Sequence, residues 1–278
     1  MRLLGSELRR LWRPLLFGTA LCLVAAAFVL TRGGALLGQA SSLKSSSGVP
    51  IPHGLVFTSP TGIGRVAAGL MASLPGLFAL MVLGGAHVAG EWSGRTLKSV
   101  LLQDGRRWRW LGGKIVSLWV VGVELELALW AALAIWTFAL RRWWPPDAHI
   151  GLTQGLHVAL PDVARSLLVL ALFAALATLA AVLTHSMLGT VLGGTFVLGG
   201  SMALSNIAFT RELPSYWVTG WMRFHAIGTG APYALWNDKF PPGIPYPSVA
   251  VGVVGVVGLL AACVAIAGIQ FARSDVLV

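Results

Sequence analysis

Six long runs of apolar residues limit the folds that this chain can adopt. A helix needs about 20 mostly apolar residues to cross a hydrocarbon layer about 30 Å thick. Hydrophobic residues make up 56% of the chain and charged residues only 11%. The sequence therefore predicts an all-α integral membrane protein, with a single transmembrane domain over residues 1–278. The six predicted transmembrane helices are 15–31, 66–89, 114–140, 164–184, 187–208 and 248–272.

The residues before the first span carry a mixed apolar and basic pattern. Leu4, Leu8 and Leu11 share one helical face, and Arg9 and Arg10 lie on the remainder. This pattern predicts an amphipathic interfacial helix over residues 1–14, lying among the lipid headgroups. A simple basic flank that anchors the first span explains the same residues equally well.

Basic residues cluster on one predicted side of the membrane. Lys and Arg accumulate in cytoplasmic loops, so we expect a multi-pass protein of the cell (plasma) membrane with both termini and the loop 90–113 in the cytoplasm. The formal charge of +10 is explained by basic residues beside the spans, which orient the chain in the membrane and bind anionic lipid. Nucleic acid is therefore not an expected partner. The residues concerned are Arg2, Arg9, Arg10, Arg13, Arg95, Lys98, Arg106, Arg107, Arg109, Lys114 and Arg273.

The segment 209–247, on the opposite side, is unusually apolar for a loop. It contains Trp217, Trp221, Phe224 and Trp236, and aromatic residues of this kind favour the membrane interface. We expect short helices in this outer hydrophobic segment that enter the outer face of the membrane before the last span. Such helices require protein or water to satisfy their backbone groups.

The sequence lacks the usual motifs of catalytic and cofactor sites. The stretch 94–99 lacks the spacing and the second glycine of a phosphate-binding loop. The six histidines have no metal-binding spacing, and no GxSxG nucleophile elbow occurs. We therefore expect a noncatalytic chain with no cofactor or metal of its own.

Two glutamates, Glu124 and Glu126, lie about 15 Å into the third predicted span. A charged side chain at the membrane centre costs about 2.5–3.5 kcal/mol on insertion scales, so buried carboxyl groups need a wet cavity, a hydrogen-bonding neighbour or a proton. Positions two apart on a helix differ by about 200°, so at most one glutamate lines a given cavity. Two roles remain open for these glutamates. One of them could contact substrate or water along a translocation path, or the carboxyl group could form a structural hydrogen bond between helices, with Thr178 or Ser201 as partner.

The basic loop 90–113 between the second and third spans contains a short helical pattern. Ser93 can cap a helix that ends at Asp104-Gly105, and Leu97, Val100 and Leu101 fall on one of its faces. A small apolar face on a basic cytoplasmic loop indicates a docking surface for a cytosolic partner. The alternative is that the basic residues only fix topology.

This loop resembles the signature between spans two and three of ABC-2 type transporter permeases. The resemblance is carried by Glu91-Trp92, by Gly94-Arg95-Thr96-Leu97-Lys98, by Arg106-Arg107 and by Lys114 at the start of the third span. It implies the transmembrane subunit of an ATP-binding cassette exporter that moves a drug, lipid, peptide or lipid-linked glycan. A separate ATPase subunit would bind ATP and Mg, and a second permease chain, identical or homologous, would pair with this one in the lipid membrane.

The same resemblance implies which residues couple the chain to the ATPase. The helix from Gly94 to Asp104 would dock in a cleft of the ATPase, with apolar contacts from Leu97, Val100 and Leu101. Lys98, Arg106 and Arg107 would supply complementary charge or membrane anchoring. Glu91, Gly94 and Thr96 complete the predicted ATPase-coupling set.

Two other classes of function remain. An ion-coupled secondary transporter would use Glu124 or Glu126, and would be built from internal repeats with broken helices, which the sequence does not indicate. An intramembrane enzyme would need several catalytic polar residues at one depth, and only the two glutamates lie deep.

Overall fold

The computed structural model describes residues 19–20, 60–61, 63–72, 74–93, 97, 107–140, 152–204 and 249–273. These residues are almost entirely helical and include no strand, which confirms the all-α prediction for this part of the chain. A π-helical segment, Gly85–Ala89, joins the second and third helices. In chain order the helices are α1 Gly64–Met71, α2 Leu74–Gly84, α3 Gly90–Ser93, α4 Arg107–Leu140, α5 Leu152–Thr184, α6 Met187–Leu204 and α7 Val249–Arg273.

Three of these helices are long and apolar enough to cross a membrane. They are Arg107–Ala139 in α4, Ala159–Thr184 in α5 and Ala250–Arg273 in α7, and they correspond to the third, fourth and sixth predicted spans. α6 occupies the fifth predicted span as a shorter apolar helix. Long apolar helices of this kind indicate a membrane-embedded protein.

The remaining parts of the six-span prediction fall mostly outside the described residues. The interfacial helix 1–14 and the outer segment 209–247 lie there completely. The first predicted span is described only at Thr19 and Ala20, which are helical. These elements therefore stay predictions.

The second predicted span, 66–89, differs from the prediction because it is interrupted. α1 ends at Met71 and α2 begins at Leu74, and Pro75 explains why. A proline lacks the N–H that would bond four residues back, here to the Met71 carbonyl, and its ring clashes with that carbonyl. Gly76 then packs so closely that a Cβ on it would lie 1.9 Å from the Met71 carbonyl oxygen.

α5 is the central helix of the described bundle. It packs against α1, α2, α4, α6 and α7, and every residue from 172 to 182 is buried. Its alanine-rich sequence lets neighbouring helices approach closely: a Cβ on Gly84 of α2 would lie only 2.7 Å from the Ala177 Cβ. α7, by contrast, leaves most of its apolar surface exposed.

A tight turn at His185 and Ser186 reverses the chain between α5 and α6. His185 has a φ of 53°, which is unusual for a residue with a side chain. The Ser186 hydroxyl accepts a hydrogen bond of 2.9 Å from the Gly189 N–H, as at a helix N-cap. This turn brings the start of α6 beside the π-helical segment, where Met187 packs against Gly85.

Candidate functional site

A buried ion pair joins the helices on either side of the loop 94–106. The Lys114 Nζ lies 2.7 Å from the Glu91 Oε1, and the side chains of the two residues are only 1% and 7% exposed. Glu91 belongs to the short helix α3, and Lys114 lies two turns into α4. A charge buried to this degree needs both a partner of opposite sign and hydrogen bonds to its remaining polar atoms.

Those further hydrogen bonds are present around the ion pair. The Trp110 indole N–H donates to the Glu91 Oε2 at 3.0 Å, so both carboxylate oxygens are bonded. The Lys114 Nζ also lies 3.4 Å from the His87 carbonyl oxygen and 3.4 Å from the His87 Nε2. Ser117 adds a contact of 3.2 Å between its hydroxyl and the His87 Nε2. We call His87, Glu91, Trp110, Lys114 and Ser117 the polar cluster.

Local helix geometry explains how the polar cluster forms. Trp110 and Lys114 are four residues apart in α4, so they lie on one face of that helix. His87 lies in the π-helical segment, and Glu91 follows it by four residues. Single π-helical turns inside α-helices are frequent at functional sites. Here the π-helical turn supplies His87 and leads directly into α3, so that His87 and Glu91 meet the polar side chains of α4.

Aromatic side chains cover the polar cluster on the side of α7. Trp110 stacks on Phe271 with ring centroids 4.9 Å apart, and Trp92 meets Trp110 edge-on at 5.6 Å. Trp92 also packs against His185 of the α5–α6 turn at 4.9 Å. We call Trp92, Trp110, His185 and Phe271 the aromatic cluster. It joins α3, α4, α7 and the turn at one end of the bundle.

Arg107, the first residue of α4, binds the end of α7. Its guanidinium donates to the Phe271 and Ala272 carbonyl oxygens at 3.3 and 3.2 Å. The last carbonyls of a helix lack partners within the helix and carry partial negative charge. Arg107, placed by the sequence in the ATPase-coupling set, therefore contributes to a joint between α4 and α7.

The predicted docking helix is described at one position only. Leu97 is 2% exposed and packs in the apolar core of this chain, so contact with a partner would require it to leave that core. The other predicted coupling residues of this loop lie outside the described residues: Gly94, Thr96, Lys98, Val100, Leu101 and Arg106.

A second polar site lies farther along α4, at Glu126. Its Oε1 lies 2.5 Å from the Ser166 hydroxyl of α5, and its buried Oε2 has no hydrogen-bonding partner in the part of the chain that the structure describes. Thr178, one of the two partners expected from the sequence, was wrong, because its hydroxyl donates to the carbonyl of Ala174 within α5. The side chain of Ser201, the other expected partner, lies outside the described part, so that expectation stays a prediction. Glu124 is half-buried whereas Glu126 is 1% exposed, as expected for two residues on different faces of a helix.

Sequence reasoning missed two members of the polar cluster, His87 and Trp110. Each precedes a charged residue of the signature by four positions, His87 before Glu91 and Trp110 before Lys114. That spacing places both pairs on one helical face, and it is the signal that would have found them. Among the described residues, no group of three or more His, Cys, Asp or Glu side chains is arranged to hold a metal ion.

No protein family, curated protein or solved structure matches the chain. The residues of the two polar sites and the pattern of the loop 94–106 are therefore the features that indicate a function.

Proposed function

We propose that this chain is the permease subunit of an ATP-binding cassette exporter of the ABC-2 type. It would move a hydrophobic or amphipathic molecule outward through the cell membrane, using ATP hydrolysed by a separate subunit. The observation that supports this proposal most strongly is the buried Glu91–Lys114 ion pair, because it fastens together the helices that flank the loop with the permease-like signature.

The ion pair suits a coupling role because separating α3 from α4 would require a large free energy. Breaking a buried pair leaves an uncompensated charge, at a cost of about 3–5 kcal/mol. A push on the loop 94–106 would therefore move α3 and α4 together. The polar cluster, with both carboxylate oxygens bonded, makes the joint stiffer than a single contact would.

The aromatic cluster extends the same joint to α7. Phe271 contacts both Trp92 and Trp110, and Arg107 holds the last carbonyls of the helix. In the proposed cycle, closure of the ATPase pushes the loop, and this end of the bundle passes the displacement to α4 and α7. A second permease chain would complete the translocation path.

The burial of Leu97 divides the predicted coupling residues into two groups. Leu97 anchors the loop to the core, whereas Val100 and Leu101 would supply the apolar docking contacts. Lys98 and Arg106 would supply complementary charge. The competing explanation, that the basic residues only orient the chain in the membrane, predicts no ATPase bound to this loop.

The test is copurification in mild detergent of the tagged chain with whatever binds it, followed by mass spectrometry. We expect an ATP-binding cassette subunit at stoichiometric level, and its loss in Leu101→Asp. Gln103→Asp is the matched control, since it adds the same charge to the same loop without removing an apolar side chain. Retention of the ATPase by L101D, or a chain that purifies alone, would contradict the proposal.

An ion-coupled secondary transporter is the second candidate, and two observations favour it. Predicted span two is broken between α1 and α2, and transporters of this class commonly use broken helices near their binding sites. Glu126 also holds a buried oxygen without a partner. Transport by the purified chain in vesicles, driven by an ion gradient without ATP, would establish this alternative.

A further inference from the structure

The hydroxyl of Ser166 makes two short contacts with oxygen atoms. It lies 2.5 Å from the Glu126 Oε1 and 2.8 Å from the Val163 carbonyl oxygen. A serine hydroxyl has one hydrogen, and both a carbonyl and an ionised carboxylate can only accept. If Glu126 were ionised, one of the two contacts would bring oxygen lone pairs together without a hydrogen between them.

We propose that Glu126 and Ser166 form a proton-binding site in the membrane interior. Glu126 is a neutral carboxylic acid whose Oε1–H donates to the Ser166 hydroxyl, and Ser166 in turn donates to the Val163 carbonyl. Every short contact then contains one hydrogen. The 2.5 Å separation lies at the short end of the range for an O–H···O bond.

The second carboxyl oxygen supports the neutral form. The Glu126 Oε2 is buried, and no described residue forms a hydrogen bond with it. An unpaired oxygen of a neutral acid loses one weak hydrogen bond, whereas an ionised carboxylate at the centre of a membrane helix carries a large cost in free energy. A proton on Oε1 removes that cost.

An ionised Glu126 would have no counter-charge among the side chains that the structure describes. The ion pairs of this part of the chain are Glu91–Lys114 and Asp162–Arg165, and neither includes Glu126. On α5, Arg165 directly precedes Ser166 in the sequence and pairs with Asp162 at 2.8 Å. α2 has no ionisable residue between Leu74 and Gly84. Further ionisable residues on these helices include Glu124 on α4, Cys263 and Arg273 on α7, and Arg65 on α1 and His157 on α5, whose side chains lie outside the described part.

The proton has a mechanical consequence, because it maintains a hydrogen bond between α4 and α5. Loss of the proton would leave a charged oxygen against apolar side chains, and would favour entry of water or separation of the two helices. The site therefore binds a proton while α4 and α5 are packed and releases it when they part. This inference is independent of the ATPase proposal, since it depends only on the α4–α5 contact.

Infrared difference spectroscopy tests the proposal on the full chain in lipid nanodiscs at neutral pH, with any partner that copurifies. The spectrum of the wild type minus that of Glu126→Gln should contain the carbonyl stretch of a protonated carboxylic acid. Glu124→Gln is the matched control, because it removes a carboxyl group two residues away on the same helix, and its difference spectrum should lack that band. Carboxylate bands in place of the acid band in the E126Q difference would overturn the proposal.

Ser166→Ala provides a second measurement that does not depend on the folding of E126Q. Removing the acceptor should shift the acid carbonyl band of Glu126 in frequency, because its hydrogen bond is lost. A band at the same frequency in S166A and in the wild type would overturn the assignment of Ser166 as the partner.

Discussion

Replacing Lys114 by methionine should strongly destabilise the chain, because it removes the cation that lies 2.7 Å from the buried Glu91 carboxylate. At 2.7 Å and an effective dielectric constant of about 20, the attraction between the two charges is about 6 kcal/mol. Desolvation of both groups offsets much of this attraction. The free energy of unfolding should nevertheless fall by about 3–5 kcal/mol, which is the usual cost of removing one partner of a buried pair.

The double variant Lys114→Met with Glu91→Gln should recover much of that loss. Glutamine keeps an oxygen that accepts the hydrogen bond from the Trp110 N–H. It is neutral, so its burial does not require a cation. A buried pair replaced by neutral groups of similar size is often close to neutral in stability. The coupling energy between the two sites should therefore be large, about 2–3 kcal/mol in a double-mutant cycle.

The measurement is unfolding of the four proteins of this cycle in mixed micelles, titrated with a denaturing detergent and followed by tryptophan fluorescence. Arg109→Met is the control, because it removes a positive charge from an exposed position one turn earlier in α4. Additive losses in the double variant, or a loss under about 1 kcal/mol in the Lys114 variant, would refute the view that this pair is a buried structural joint.

Three further variants test other parts of the structure. Gly84→Ala should lower the melting temperature, because its Cβ would lie 2.7 Å from a side chain of α5. Gly258→Ala is the control: a Cβ there meets nothing within 4 Å, and alanine favours a helix by about 1 kcal/mol, so the melting temperature should stay unchanged or rise. Equal shifts in the two variants would argue against close packing of α2 on α5. Arg107→Gln should expose the end of α7 to faster hydrogen exchange than Arg109→Gln does, because the Arg107 guanidinium binds the carbonyls of Phe271 and Ala272. Identical exchange in the two variants would show that Arg107 does not hold α7. Leu97→Ala should lower the free energy of unfolding by about 2–5 kcal/mol, since Leu97 is buried. A change near zero would indicate that Leu97 belongs to the docking surface and not to the core.

The apolar runs predicted the long helices well, because length and composition decide whether a segment can span a membrane. They predicted the interruption of span two poorly. The runs on both sides of Pro75 are equally apolar, so hydropathy does not register a missing backbone N–H. The start of α4 was also misplaced, at Lys114 in place of Arg107, because Arg107–Trp110 alternates basic and aromatic residues and has the composition of a loop.

The polar contacts were harder to predict than the helices. Glu91 and Lys114 were both recognised as members of one signature, but their pairing was not predicted, because it follows a π-helical turn that the signature does not reveal. The partner of Glu126 was missed because Ser166 lies 40 residues away. Which serine or threonine meets Glu126 is set by the register of α4 against α5, and that register follows from close packing along the whole interface, which no local pattern in the sequence encodes.

The two polar sites on α4 differ in a way that fits a transport cycle. The polar cluster at Lys114 is bonded at both oxygens of its carboxylate, so it resists change. Among the described residues the Glu126 Oε2 has no partner, so a new partner, water or a transported molecule, would gain a hydrogen bond there. Lys114 and Glu126 are twelve residues apart along uninterrupted helix, a distance of about 18 Å. A rigid α4 would therefore carry a displacement of the α3–α4 joint directly to the α4–α5 contact at Glu126.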